Sequence, residues 1–147
     1  MPAKAHHPLV EESLRRLEEK GYRLTGTRED VARAVAQQGS HFTAELLCEA
    51  LPRVGRATVY RNIKLLVEMG FLCRVLMEDG ELHYQVSHKG HHHHLICTYC
   101  GQSQDLLNCD FQGMLKEKAS AQGFEVERHT VELYGRCRTC ASEATAA

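Results

Sequence analysis

The sequence has little of what marks several common protein classes. It contains no tryptophan and three prolines, and aromatic residues make up 6% of its 147 residues. No apolar run reaches the length of a membrane span, and the amino terminus has no signal-peptide core, so we expect a cytoplasmic protein without a membrane partner. The formal net charge of −1 excludes a broadly basic nucleic-acid coat, so any contact with DNA must be local.

Cysteine and histidine, by contrast, are abundant. The chain has seven cysteines and ten histidines. Thiols stay reduced in the cytoplasm, so this combination favours metal binding over disulfides. Because seven is odd, at least one cysteine lies outside any even-numbered set.

The first half of the sequence has the hydrophobic periodicity of helices. We predict a first helix after Pro8 and a second that begins at Thr27, with Asp30 completing a capping-box arrangement. A third helix is predicted after Thr43, and a fourth from about Ala57 to Met69. Phe71 to Val86 then alternates as a hairpin does. Helices followed by a two-stranded ribbon predict a winged helix-turn-helix, so we assign residues 1–86 to a DNA-binding domain.

The second half changes character. Residues 87–90 are polar and are the predicted hinge, and residues 91–141 are predicted to form a small α/β domain around cysteine pairs. A helix is expected from Asn108 to Gln122, with strands at Leu95-Ile96, around Phe124 and Val126, and over Val131–Leu133. Residues 142–147 are expected to be a disordered tail. The predicted fold class is therefore α+β, with two domains.

Two C-x-x-C pairs carry the sharpest metal signal. They are Cys97-Thr-Tyr-Cys100 and Cys137-Arg-Thr-Cys140. Each offers two thiolates from one tight turn, and together they complete the all-sulfur tetrahedron that Zn²⁺ accepts. Disulfides and a redox pair are the alternatives. The reducing cytoplasm disfavours the first, and the absence of a thioredoxin-like βαβ pattern disfavours the second. We therefore predict structural Zn²⁺.

The fourth predicted helix has a polar face that avoids its apolar stripe. Arginine and lysine pair with phosphates or guanine edges, and threonine and tyrosine contact the backbone or thymine methyls. An ordinary solvated helix face is the alternative, and the pattern alone leaves both open. The candidate DNA-binding residues are Arg56, Thr58, Tyr60, Arg61 and Lys64.

The run His91 to His94 is the other metal signal. Alternation along a strand sends His92 and His94 to one face and His91 and His93 to the other. Two imidazoles on each face are half of a metal site, and a wet polar strand is the alternative.

Three segments together resemble the ferric uptake regulator family. They are Gly55-Arg-Ala-Thr-Val-Tyr-Arg61, the run H-H-H-H-L-I-C-x-x-C-G that ends at Gly101, and the final C-x-x-C. The resemblance spans roughly Leu9 to Cys140. It implies a homodimeric transcriptional repressor, not an enzyme, that binds a palindromic double-stranded operator when a sensory metal is loaded. It also implies control of metal uptake or homeostasis genes, with Fe²⁺, Zn²⁺ or Mn²⁺ as the metal, or with peroxide sensing.

The resemblance also implies a sensory site whose ligands come from both domains. Those ligands would be His41, His92, His94 and Asp105. A family glutamate falls on Gln85, so His83 or Glu81 would substitute. Cys73 lies where zinc sensors have a ligand, and its thiolate favours Zn²⁺ over Fe²⁺. The cysteine that several zinc sensors carry before the histidine run is Ser87 here, so Fe²⁺ and Zn²⁺ both stay open.

A further family site would use His91, His93 and His129, although its usual glutamate falls on Gln112. Cys48 is predicted to lie in the core, and Cys109 is left open between a buried and a reactive thiol. His6, His7 and His88 are predicted surface residues.

Other function classes fit the sequence less well. A zinc hydrolase lacks support because the sequence has neither H-E-x-x-H nor a nucleophile elbow. A metal-storage or chaperone protein would explain the histidine run but not the basic helix. A peroxide sensor of the same family, in which Fe²⁺ catalyses oxidation of a histidine, is compatible with Asp105.

Overall fold

The computed structural model describes residues 7–87 and 90–146, which fall into two compact units. The first unit comprises Met1–Val75 and Glu81–Ser87, and the second comprises Leu76–Gly80 and His88–Ala147. The predicted surface residues His6 and His88, and part of the predicted hinge over 87–90, lie outside the described residues. No helix in the described ranges is both long and apolar enough to cross a bilayer.

The first unit contains four helices and a two-stranded sheet, in the predicted order. The elements are α1 (Pro8–Glu19), α2 (Gly26–Ala36), α3 (Ala44–Ala50), α4 (Arg56–Glu68), β1 (Leu72–Leu76) and β2 (Leu82–Val86). Their apolar faces form one core, because the spacing of the apolar residues follows the helical period. Its most buried members, each at most 2% exposed, are Val31, Val35, Phe42, Leu47, Val59, Ile63 and Leu72.

Threonine side chains begin two of these helices. Thr43 is the N-cap of α3, as predicted, and its hydroxyl accepts the Leu46 N–H at 3.2 Å. The predicted start of α2 at Thr27 is wrong, because Thr25 is the N-cap and accepts the Arg28 N–H at 3.2 Å. Thr27 lies inside the first turn, where its own backbone is already helical.

The hairpin is tied to the segment that precedes α3. Phe42 donates its N–H to the Tyr84 carbonyl at 2.8 Å, and Tyr84 returns the bond to Phe42 at 2.7 Å. This isolated bridge brings His41 beside His83 on β2. The turn of the hairpin is the predicted Asp79-Gly80, where Gly80 has φ +85°.

The second unit is built on a three-stranded sheet. Its strands are β3 (His92–Cys97), β4 (Ser103–Leu107) and β5 (Glu132–Gly135), in the order β4-β3-β5. The central strand β3 is antiparallel to β4 and parallel to β5. Strand β4 was not predicted, because its sequence S-Q-D-L-L has no clear alternation of apolar and polar residues.

Three predictions for the second unit are wrong in detail. The helix α5 covers Gln112–Ser120 instead of Asn108 to Gln122, because Asn108 takes a left-handed φ of +60°. Phe124 and Val126 lie outside the strands, and Phe124 is 67% exposed. The predicted disordered tail is helical as far as Thr145, since α6 covers Arg138–Thr145 and continues from the second cysteine pair. Ala147 lies outside the described residues.

Candidate metal centres and DNA-reading helix

The four cysteines of the two C-x-x-C pairs, which we call the zinc clamp, converge on one point. The Sγ atoms of Cys97, Cys100, Cys137 and Cys140 all lie within 4.8 Å of one another. Those of Cys100 and Cys137 are 3.8 Å apart, which matches the edge of about 3.8 Å expected for a tetrahedron with Zn–S bonds of about 2.3 Å. All seven cysteines are free thiols, so the disulfide alternative is not what the fold adopts. The cluster fits a structural zinc site.

Local backbone geometry positions these sulfurs. Gly101, with φ +73°, closes the first turn by donating its N–H to the Cys97 carbonyl at 2.9 Å. Cys137 is the N-cap of α6, so one helical turn presents Cys140 beside it. The Cys137 N–H donates to Cys97 Sγ at 3.3 Å, which joins the two pairs directly.

The electrostatics of the cluster favour a bound cation. The N–H groups of Cys137 and Cys100 stabilise a thiolate on Cys97 and lower its pKa to about 6. The pKa of Cys140 is raised to about 12 because its thiol is hydrogen-bonded to Cys137 and the neighbouring sulfurs. Four thiolates at this separation repel one another, so without an ion the cluster holds protons. Zn²⁺ removes that repulsion.

A second set of candidate metal ligands lies on one face of the central strand. His92 and His94 share this face, as the alternation predicts. His94 is in register with Asp105 on β4 and with Glu132 on β5. Asp105, His94 and Glu132 therefore form a row across the sheet, and His92 lies two residues before His94 on the same face of β3. Glu132 was not identified from the sequence; the one signal was a carboxylate within an otherwise apolar strand.

A hydrogen bond fixes which ring nitrogen of His92 carries the proton. Nδ1 of His92 lies 3.0 Å from the Gly90 carbonyl, which accepts only from an N–H, so the ring proton is on Nδ1. Nε2 of His92 is buried and has no hydrogen-bond partner among the described residues. Nδ1 of His94 lies 3.5 Å from Glu132 Oε1, and burial lowers the pKa of His94. An imidazole that carries its proton on Nδ1 has a lone pair on Nε2, which is the atom that metals commonly bind.

The first unit contains a smaller cluster of the predicted ligands. His41 and His83 have their Nδ1 atoms 2.7 Å apart, and Nε2 of His83 lies 3.0 Å from Glu81. Cys73 on β1 has its Sγ 3.7 Å from the Gln85 carbonyl on β2. The structure thus places Glu81 and His83, the substitutes suggested for the position of Gln85, beside His41.

A third cluster lies on the opposite face of β3. It contains the predicted His91, His93 and His129, and it also contains Cys109, whose role the sequence left open. Gln112 begins α5 and is exposed. Cys48, as predicted, is a core residue, with 7% of its surface exposed.

The polar face of α4 is exposed, as a DNA-reading helix requires. Val59, Ile63 and Leu66 are buried, which turns the candidate DNA-binding residues away from the core. Arg56 and Tyr60 both bond to one carboxylate, Glu45 of α3, and these bonds lower the pKa of Glu45. Glu45 was missed from the sequence, because its contact with α4 depends on how the two helices pack.

These features agree with a known family. The family model described as the ferric uptake regulator family matches residues 19–134. The chain belongs to the ferric uptake regulator family.

Individual members of this family align with nearly the whole chain. A ferric uptake regulation protein of Campylobacter upsaliensis is 30% identical over 138 residues, which cover 90% of this chain and 88% of the relative. A peroxide-responsive repressor PerR of Staphylococcus epidermidis is 28% identical and covers 91% of each chain. A solved zinc uptake regulator complexed with zinc and DNA has a TM-score of 0.77 at 25% identity, covering 95% of this chain and 97% of that one. The names of these members differ in what is sensed, so family membership alone does not identify the metal.

Proposed function

We propose that this protein is a metal-dependent, DNA-binding transcriptional repressor of metal uptake or homeostasis genes, with Fe²⁺ or Zn²⁺ as co-repressor. The observation that carries the proposal is that His92 and His94 lie on one face of β3, with His94 in register with Asp105 and Glu132. Residues 1–86 would bind DNA, and residues 91–141 would bind metal and dimerise. Mn²⁺ is a further candidate co-repressor.

The proposed regulatory ligands are those that the family resemblance implies. Imidazoles and carboxylates suit either Fe²⁺ or Zn²⁺, whereas participation of the Cys73 thiolate would favour Zn²⁺. The proposed set is His41, His83, Glu81, Cys73, His92, His94 and Asp105.

A homodimer is the proposed assembly. The second unit leaves large apolar side chains exposed, and β5 is an edge strand with one free side in the subunit. A second copy of the chain would cover these surfaces, and two copies of α4 would suit a palindromic operator. The exposed side chains include Leu107 (54%), Met114 (52%), Phe124 (67%) and Leu133 (49%).

Regulation follows if metal binds the DNA-competent state more tightly than the alternative. The metal then shifts the population toward that state, and by linkage the operator raises the affinity for the metal. The helix α4 would present Arg56, Arg61 and Lys64 to the phosphates and base edges of the major groove.

The test uses duplexes selected from a random-sequence pool in the presence of Zn²⁺ or, without oxygen, of Fe²⁺. Binding of these duplexes is measured by fluorescence anisotropy with chelator and with metal added back. We expect the wild-type protein to bind only when metal is present. His92→Ala should no longer bind these duplexes when metal is added, while it keeps the zinc of the clamp and the far-UV circular dichroism spectrum of the wild type.

His7→Asn is the matched control, because it removes an imidazole from an exposed helix cap and keeps a capping side chain. It should bind like the wild type. If wild-type affinity for every selected duplex is the same with and without metal, the proposed function is wrong. A protein that retains metal but selects no duplex would instead indicate the storage class.

Peroxide sensing is a second candidate, favoured by the carboxylate Asp105 in register with His94. Hydrogen peroxide that reacts with Fe²⁺ in an oxygen-rich site can oxidise a neighbouring imidazole, and the peroxide supplies the oxygen atom and is reduced to water. Fe²⁺-loaded protein treated with hydrogen peroxide should then gain one oxygen atom on His41, His92 or His94 in peptide mass spectra. Unmodified histidines, with operator binding retained, would exclude this candidate.

A further inference from the structure

Four side chains that could bind one metal ion meet on the face of β3 opposite His92 and His94. Nε2 of His91 lies 3.0 Å from Nε2 of His93 and 3.0 Å from Nε2 of His129. The latter two atoms are 3.2 Å apart, and Sγ of Cys109 is 3.3 Å from Nε2 of His129. A tetrahedron with Zn–N bonds of about 2.0–2.1 Å has N–N edges of about 3.3 Å, so one ion fits among these atoms.

The chain is shaped to place the sulfur in this cluster. Asn108 follows β4 and takes φ +60°, which turns the backbone just before Cys109. Cys109 is partly buried, and His93 is 1% exposed. The ring of Phe111 stacks on His93 with centroids 5.3 Å apart and covers one face of that imidazole.

We propose that Cys109 is the fourth ligand of a Zn²⁺ site completed by His91, His93 and His129, and that its thiolate makes this site selective for Zn²⁺ over Fe²⁺ and Mn²⁺. The site is separate from the four-cysteine clamp and from the proposed regulatory ligands. Binding replaces the Cys109 thiol proton, which goes to solvent, with the metal ion. A sulfur ligand is softer than the carboxylate that the family resemblance would place at Gln112.

One contact has to change when the ion binds. The Val131 N–H donates to Nδ1 of His93 at 3.1 Å, so the metal-free ring carries its proton on Nε2. A ring bound through Nε2 carries the proton on Nδ1, and two N–H groups would then face each other. Metal binding should therefore move the Val131 amide, and its NMR resonance reports directly on occupancy of this site.

The test is a Co²⁺ titration, because Co²⁺ replaces Zn²⁺ in tetrahedral sites and gives a sulfur-to-metal absorption band when bound by thiolate. A Cys73→Ala background with zinc retained in the clamp leaves Cys109 and the core residue Cys48 as the other thiols. We expect a sulfur-to-Co²⁺ absorption band with the intensity of one thiolate ligand per subunit. This band should be lost in Cys109→Ala and also in His129→Ala. Cys48→Ala is the matched control and should keep it.

Selectivity is measured by competition. Zn²⁺ should displace the Co²⁺ signal, whereas Fe²⁺ or Mn²⁺ should not. Cys109→Asp should still bind an ion but lose about tenfold or more of the preference for Zn²⁺ over Mn²⁺. The far-UV spectrum and the zinc content of the clamp report on folding, and Cys109→Ser replaces the alanine variant if that variant is misfolded.

A band that is unchanged in Cys109→Ala, or absent from the parent protein although Co²⁺ binds, would overturn the proposal. So would a Val131 amide that does not shift when Zn²⁺ is added. None of these measurements involves DNA, so they leave the proposed repressor function open to its own test.

Discussion

The stability of the second unit should depend strongly on the zinc of the clamp. Among the described residues of this unit, the buried apolar side chains are Ile96, at 3% exposure, and Cys97, at 4%. A fully buried isoleucine contributes about 1.5–3 kcal/mol, whereas ordering the backbone costs about 1 kcal/mol or more for each residue. The helices α5 and α6 add no buried residue.

Zinc binding adds a large stabilising contribution to this unit. Binding at a structural site contributes apparent free energies of about 10–16 kcal/mol, which is comparable to the total stability of about 5–15 kcal/mol of an ordinary domain. The double substitution Cys137→Ser, Cys140→Ser removes half of the sulfur ligands. We expect it to unfold the second unit while the first, whose core holds Val31, Phe42 and Ile63, stays folded.

Hydrogen exchange read by mass spectrometry measures both units in one sample. In the double variant, peptides covering β3, β4 and β5 should exchange at rates close to those of an unfolded chain, while peptides covering α2 and α4 stay protected. Cys48→Ala removes a thiol elsewhere and should retain both zinc and the protection of β3. A zinc-free double variant in which β3 still exchanges slowly would refute this reasoning.

Three further predictions concern single contacts. Glu45→Gln should strengthen DNA binding, because Arg56 and Tyr60 are released from a carboxylate. The plot of the logarithm of the binding constant against the logarithm of the salt concentration should become steeper by up to about one unit. Weaker DNA binding in anisotropy titrations would contradict this. Thr25→Ala should lower the free energy of unfolding, measured with urea, by about 1 kcal/mol. Thr27→Ala should lower it by less, because Thr25 and not Thr27 caps α2. Equal decreases would disprove that assignment. Glu132→Gln should lower the affinity for the regulatory metal about tenfold, because Glu132 orients His94. The affinity is measured in competition with a chelating dye, and an unchanged value would show that Glu132 does not have this role.

Much of the site was predictable where the chemistry is local in the sequence. The two C-x-x-C pairs each place two sulfurs in one turn, and period-two alternation separated His92 from His93 before any fold was known. The apolar stripe of α4 likewise identified its exposed face. The capping of α2 was missed although it is local, since Thr25 and Thr27 are equally suitable caps and the packing of the helix decides between them.

Contacts between distant segments were not predictable in the same way. Cys109 reaches His129 because Asn108 reverses the chain, and Glu132 reaches His94 because β5 pairs in parallel with β3. Neither the backbone conformation of one loop residue nor the register of a parallel pair follows from local pattern, since both are set by the packing of elements far apart in sequence.

The sequence by itself indicated the family, the four cysteines that cluster and the exposed polar face of α4, because each depends on residue type at short, regular spacing. Only the tertiary structure decided which carboxylate accompanies His94, which side chain is bound to Arg56, and that Cys109 joins three histidines. Those pairings need a distance between atoms from separate elements, and such a distance exists only once the chain has folded.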